Sequence, residues 1–199
     1  MISLTNTEEN EIEYDGITYK VDISFNNIIN LINFCKENIT DAEVFYDTFF
    51  KIAINEIPEL ELIGNADKHA ELANGIIDNF ILMEGEEKKP VELDLKGNLL
   101  PKSKTAENET DYDLNYDSDL IYSAFMQAYQ MDLIEEQGIL SWSKFNALLG
   151  GLPDDTRFSQ VREIRNRELP KGKGTEAERK SLIKAKKEVA LPKKIREEE

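Results

Sequence analysis

The chain has 199 residues, 40% of them hydrophobic, and its 40 acidic against 24 basic side chains leave a net charge of −16. That is core material for one ordinary domain or two small ones, and no apolar run approaches the ~18–20 residues that cross a bilayer. A single cysteine, Cys35, excludes an intrachain disulfide framework and a Cys-rich zinc module, and the opening MISLTNTEENEIEY lacks the basic start and apolar stretch of a secretory signal, so a cytoplasmic setting is expected.

The first element is a hairpin. Ile12, Tyr14, Ile17, Tyr19, Val21 and Ile23 alternate with polar residues around Asp15-Gly16, a pair suited to a type I′ turn, where both central residues need positive φ. The turn sets Tyr14 opposite Ile17 and Ile12 opposite Tyr19. A lone hairpin is marginal in water, so it must pack on a neighbour. Residues 25–38 carry Phe25, Ile28, Ile29, Ile32 and Cys35 at helical spacing. Thr40-Asp41-Ala42-Glu43 reads as a capping box opening a second helix, whose inner stripe is Phe45, Phe49, Ile52 and Ala53, widened by Phe50 and Ile57. A third helix from about Asn65 to Met83 buries Leu72, Ala73, Ile76 and Phe80. Each large side chain buried is worth ~1.5–3 kcal/mol, so three such stripes and a hairpin sustain a small core. Residues 1–84 are expected to form this hairpin-plus-helices domain.

Periodicity fails over residues 85–117, which read as an acidic linker with a brief ordered stretch at Val91 to Leu100. It returns at Ser118 with Leu120, Ile121, Ala124, Phe125 and Ala128 as a helical stripe, edged by Tyr122, Phe125 and Tyr129 and punctuated by Gly138. Ser141 caps a short helix bearing Trp142, Phe145, Leu148 and Leu149, ended by Gly150-Gly151. Asp154, Asp155 or Thr156 caps the next helix, with Phe158, Val161 and Ile164 inward and Arg162, Arg165 and Arg167 on its polar side, stopped at Leu169-Pro170. Residues 118–170 are thus a compact helical module. Residues 171–199 form a Lys-rich tail whose helix opens at the second capping box, Thr175-Glu176-Ala177-Glu178; poor in apolar residues, it is expected to be exposed and easily frayed. Charge divides the same way: Arg157 to Glu199 is +6 and the residues before it −22. An acidic body with a basic tail repels nucleic acid and leaves the tail free to lie on its own body or on an acidic partner.

The landmarks DLIYSAFMQAYQMDL, LSWSKFNALLGGLPDDT and FSQVREIRNRELP, in that order between Asp117 and Pro170, resemble the small tail assembly chaperones of long-tailed phages and prophages of Gram-positive bacteria, which are typically encoded just upstream of the tape measure protein. YKVDISFNNIINL and the Lys-rich tail are similar to the opening and the end of that family. The sequence departs from the pattern at Ser141 and Ser143, where the family often carries His or an aromatic residue beside the tryptophan. The resemblance implies a chain that holds the tape measure protein, with tail tube subunits as a second partner, in the host bacterial cytoplasm, and that is absent from the mature virion. The alternative is a minor structural or connector component retained in the tail.

The residues agree with that implication. An acidic helical protein with an apolar groove would coat amphipathic segments of a long helical partner, and its charge would keep the complex dispersed. Self-association is expected, because a long filament favours multivalency. Tyr122, Phe125, Tyr129, Trp142, Phe145, Arg162 and Arg165 are the candidate partner-binding residues. The plainer readings are core for Trp142 and Phe145, and a solvated face or local ion pairs for the arginines.

Other chemistries find less support. Asp111, Asp113, Asn115, Asp117 and Asp119 alternate like the start of a calcium loop, but Tyr116 and Tyr122 stand where the turn glycine and bidentate glutamate belong, so a solvated acidic linker that caps the helix at Ser118 is the better reading. His69 is the single histidine, Cys35 lies on a buried stripe, and no nucleophile elbow, P-loop or dinucleotide fingerprint occurs. No catalysis, no cofactor and no metal are expected. The basic tail ends in three glutamates and has no aromatic for base stacking, so neither nucleic acid nor membrane is an expected partner. The expected architecture is mainly α: a hairpin plus helices, an acidic linker, a small helical module and a basic helical tail.

Overall fold

The computed structural model describes residues 8–54, 66–82, 111–172 and 174–192. Ile57, Asn65, Met83 and the stretch from Val91 to Leu100 lie outside the described residues. The fold is mainly helical with an antiparallel hairpin at its N-terminal end. In chain order come β1 (Glu11–Tyr14), β2 (Ile17–Lys20), α1 (Phe25–Lys36), α2 (Ala42–Ala53), α3 (Ala66–Ile76), a π-helical turn (Ile77–Ile81), α4 (Ser118–Tyr129), α5 (Trp142–Gly150), α6 (Arg157–Asn166) and α7 (Glu176–Glu188). None of the described helices is long and apolar enough to cross a membrane.

These elements group into two compact units: Met1–Ser103 with Glu136–Ala147, and Lys104–Glu135 with Leu148–Glu199. The grouping differs from the expected boundaries. Residues 136–147, placed by the sequence in a module of residues 118–170, associate with the N-terminal unit, and Asp111 to Asp117, read as the end of a linker, fold within the second.

In the first unit the hairpin has the expected register, Tyr14 opposite Ile17 and Ile12 opposite Tyr19. Asp15 and Gly16 take φ of 53° and 78°, the left-handed pair that a type I′ turn requires. One face of α3 receives it. Lys68, Glu71 and Gly75 recur at i, i+3 and i+7, and they meet Asp15 (2.7 Å), the Tyr14 hydroxyl (2.7 Å) and the Ile12 side chain in turn. A Cβ on Gly75 would stand 3.0 Å from Ile12 Cδ1, so the glycine lets strand and helix approach closely.

The core beneath is aromatic. Phe45, Tyr46, Phe49 and Phe50 of α2 are buried together, Phe34 of α1 stacks on Phe45 at 5.2 Å, and Leu72, Ala73 and Ile76 close it from α3. His69 is fully buried, its ring 5.8 Å from Tyr46 and 5.7 Å from Phe50. Two readings shift in detail. The buried line of α1 is Phe25, Ile28, Leu31 and Phe34, leaving Ile29, Ile32 and Cys35 half-buried, because α2 covers the arc centred on Leu31. The cap of α2 is Asp41, whose carboxylate accepts from the Val44 N–H, rather than Thr40.

Residues 136–147 join this unit through backbone. The Phe25 N–H donates to the Leu140 carbonyl (2.9 Å) and the Trp142 N–H to the Ile23 carbonyl (2.7 Å), making a bridge between Ser24 and Ser141. Phe25, Phe145 and Trp142 then stack, with ring centroids 4.9 and 5.7 Å apart. The indole N–H donates to the Ile81 carbonyl (3.0 Å), at the end of the π-helical turn. Ser141 does not act as the expected side-chain cap: its hydroxyl is buried without a hydrogen-bond partner.

In the second unit α4 and α7 both pack on α6. Gln130, in the left-handed region, ends α4, well before Gly138. Thr156 caps α6, accepting from the Ser159 N–H (3.3 Å). The tail helix is exposed along most of its length, as expected, and is anchored on one side. Leu182 is buried, Lys186 Nζ donates to the Arg165 carbonyl (2.7 Å), and the Val189 carbonyl accepts from Arg165 Nε (2.6 Å).

Candidate partner-binding surface

The seven candidate residues divide between the two units. Trp142 and Phe145 belong to the first unit, 8% and 1% exposed in the stack with Phe25. The other five belong to the second. Phe125 is fully buried on the inner face of α4, edge-on to Tyr129 at 5.6 Å. Tyr129 is half-buried and donates to the Leu148 carbonyl (2.8 Å), which also accepts from the Gly151 N–H (3.1 Å) where α5 ends.

Arg162 and Arg165 both turn toward residues 111–117. Arg162 Nε meets Asp111 Oδ2 at 2.8 Å while its guanidinium lies 5.0 Å from the Tyr112 ring and 5.5 Å from that of Phe158. Asn166 Nδ2 donates to the same Asp111 oxygen (2.6 Å). Arg165 grips Asp117 through two nitrogens, Nη1 to Oδ2 at 2.7 Å and Nη2 to Oδ1 at 2.9 Å, and Nη1 also donates to the Asp111 carbonyl. The Asp117 side chain is 1% exposed and that of Arg165 9%. The fork matches the carboxylate in both spacing and charge, the geometry in which such pairs are strongest. Of the plainer readings of the arginines, local ion pairing describes these two; Arg167, at the C-cap, is exposed.

The same pairs account for the alternating aspartates. Asp111 and Asp117 answer arginines, and Asp113 Oδ1 accepts from the N–H groups of Asn115 and Tyr116 at 2.9 and 2.8 Å. The segment is therefore neither a solvated linker nor a side-chain cap for α4, since the Asp117 carboxylate makes no cap bond. Among the described residues no group of three or more His, Cys, Asp or Glu side chains could hold a metal ion.

Tyr122 lies at an accessible edge of the second unit. Half-buried on α4, it donates to Asp132 Oδ2 (3.2 Å). Desolvation, then the Asp132 hydrogen bond and the charges of Asp132 and Glu135, raise its phenol above the usual tyrosine range. The other Asp132 oxygen accepts from the Ile134 N–H (2.8 Å), and this turn holds the Ile134 side chain out, 66% exposed. One helical turn beyond Tyr122, at i+4, Met126 is 41% exposed. Sequence reasoning missed both Met126 and Ile134. The available signal was their position: Met126 falls off the buried stripe of α4, and Ile134 is a large aliphatic residue within the polar run QMDLIEEQG. Residues 111–135 include six acidic side chains and no basic one, and of the six Asp111 and Asp117 are paired with arginines of α6.

A family model described as "Bacteriophage Gp15 protein" matches residues 7–191. No curated protein matches the chain, and no solved structure does.

Proposed function

The chain belongs to the bacteriophage Gp15 protein family, and on that premise we propose that it is a non-catalytic tail assembly chaperone that binds the tape measure protein during tail morphogenesis. The carrying observation is that the second unit holds two large apolar side chains, Met126 and Ile134, in solvent beside Tyr122. Apolar residues grouped on a polar rim are the ordinary mark of a protein-binding surface. The ordered landmarks between Asp117 and Pro170, similar to those of tail assembly chaperones, support the tape measure protein as the partner. Tail tube subunits are a second partner, self-association supplies multivalency along the filament, and the action belongs in the host cytoplasm.

The composition of purified particles tests the reading against a structural role. The chaperone reading expects the protein in lysates of cells assembling the phage that encodes it, and not in mature tails freed of unassembled protein. A fixed number of copies in every purified tail would make it a structural or connector component instead.

A further inference from the structure

We propose that the face of α4 carrying Tyr122 and Met126, together with the turn carrying Ile134, docks a helical segment of a partner protein whose apolar residues are flanked by Lys or Arg. The inference rests on the tail assembly reading for the identity of the natural partner, but its chemistry comes from the face itself. Asp119, Tyr122 and Met126 recur at i, i+3 and i+7 and so share one stripe of α4. Tyr122 is tied to Asp132, whose second oxygen fixes the backbone of Ile134, so the two exposed apolar side chains flank one tyrosine on a pinned support. Such a support needs little ordering when a partner arrives.

Charge selects the occupant. Within residues 111–135, Asp111 and Asp117 are neutralised by Arg162 and Arg165. Asp119, Asp132 and Glu135 remain around the face, and the charges of Asp132 and Glu135 are felt at the Tyr122 phenol. Among the described residues of this unit the basic side chains all come later in the sequence, from Arg157 onward. An acidic rim around apolar side chains favours a segment with positive flanks and disfavours one with negative flanks. A helix meets a short stripe of this kind with its own i, i+3, i+4 face, which is the helix-to-surface mode of peptide recognition.

The test uses the full chain and two synthetic helical peptides, each with leucine along one face, one flanked by lysine and the other by glutamate. The lysine peptide is expected to bind and the glutamate peptide is not. The exposed-site variant Met126→Ala/Ile134→Ala is expected to weaken lysine-peptide binding roughly tenfold, and Asp119→Asn/Glu135→Gln to weaken it and flatten its salt dependence. Glu11→Gln/Glu13→Gln, on the exposed edge of the hairpin, is expected to leave binding unchanged, which separates docking from attraction to net charge alone. Equal binding of the two peptides, or undiminished binding by Met126→Ala/Ile134→Ala, would overturn the proposal. Capture of the tape measure protein by the same variants separates the two claims. If wild type and Met126→Ala/Ile134→Ala capture it equally, the face is wrong and the chaperone reading stands. If wild type does not capture it, the chaperone reading fails, and the peptide pair alone decides the face.

Discussion

Arg165 makes four hydrogen bonds, to both carboxylate oxygens of Asp117, to the Asp111 carbonyl and to the Val189 carbonyl, so one side chain gathers the start of the second unit, α6 and the end of α7. Removing one partner of so enclosed a pair leaves the other charge buried and unanswered. Asp117→Ala is expected to cost about 3–5 kcal/mol, read as a lower denaturant midpoint of the second unit. Asp113→Ala, which removes two local turn bonds rather than a buried ion pair, is expected to cost about 1 kcal/mol. Equal effects of the two substitutions would show that Arg165 does not organise the unit. The residue types of this cluster were legible in the sequence, but their pairing was not. Alternating aspartates look alike whether they face water, calcium or arginine, and the deciding contacts join residues 111–117 to residues 162–166. For the same reason the arginines could be read toward a partner as readily as toward the chain's own carboxylates.

Among the elements, the hairpin was the most legible, because Asp15-Gly16 fixes a turn type, the turn fixes register, and register fixes which side chains face each other. The buried line of α1 was legible only in part: amphipathicity marks an apolar arc, while the neighbours decide where that arc is centred. Docking of the hairpin on α3 has a consequence at high pH. Burial first, then the Glu71 hydrogen bond, push the Tyr14 phenol up to about 12, and burial with the Asp67 charge does the same for Tyr46. The unfolded phenols ionise near 10. Below about pH 10 both states hold these protons and the stabilisation is complete. Between about pH 10 and 12 the unfolded chain releases them while the folded unit keeps them, so stability falls as pH rises through that window. Denaturant melts across it are expected to show a steep loss of stability, shallower in Tyr14→Phe, and tyrosinate absorbance in the folded protein should lag that of the denatured chain. A flat stability profile would contradict this account of the hairpin contact.

For the molecule as a whole, the mainly helical class, the hairpin and the uneven charge could be read from the chain, and the grouping of its segments could not. Trp142 and Phe145 have the spacing of any packed helix, and nothing in that spacing says that their partner is Phe25, more than a hundred residues earlier. The bridge between Ser24 and Ser141 depends on backbone groups, which carry no side-chain signature. The basic tail looked detachable because it has few apolar residues, yet α7 is held by Leu182 and by the backbone bonds of Arg165 and Lys186. Among the described residues, most of the large side chains that suggested a contact surface are used internally, while Met126 and Ile134 of the second unit are exposed beside acidic side chains.

Co-expression of this phage protein with the tape measure protein, followed by affinity capture and mass determination, tests directly the proposal that the one holds the other. A soluble complex of defined stoichiometry is expected, with the tape measure protein insoluble when produced alone. A tape measure protein that is soluble by itself and does not associate with this chain would contradict the proposal.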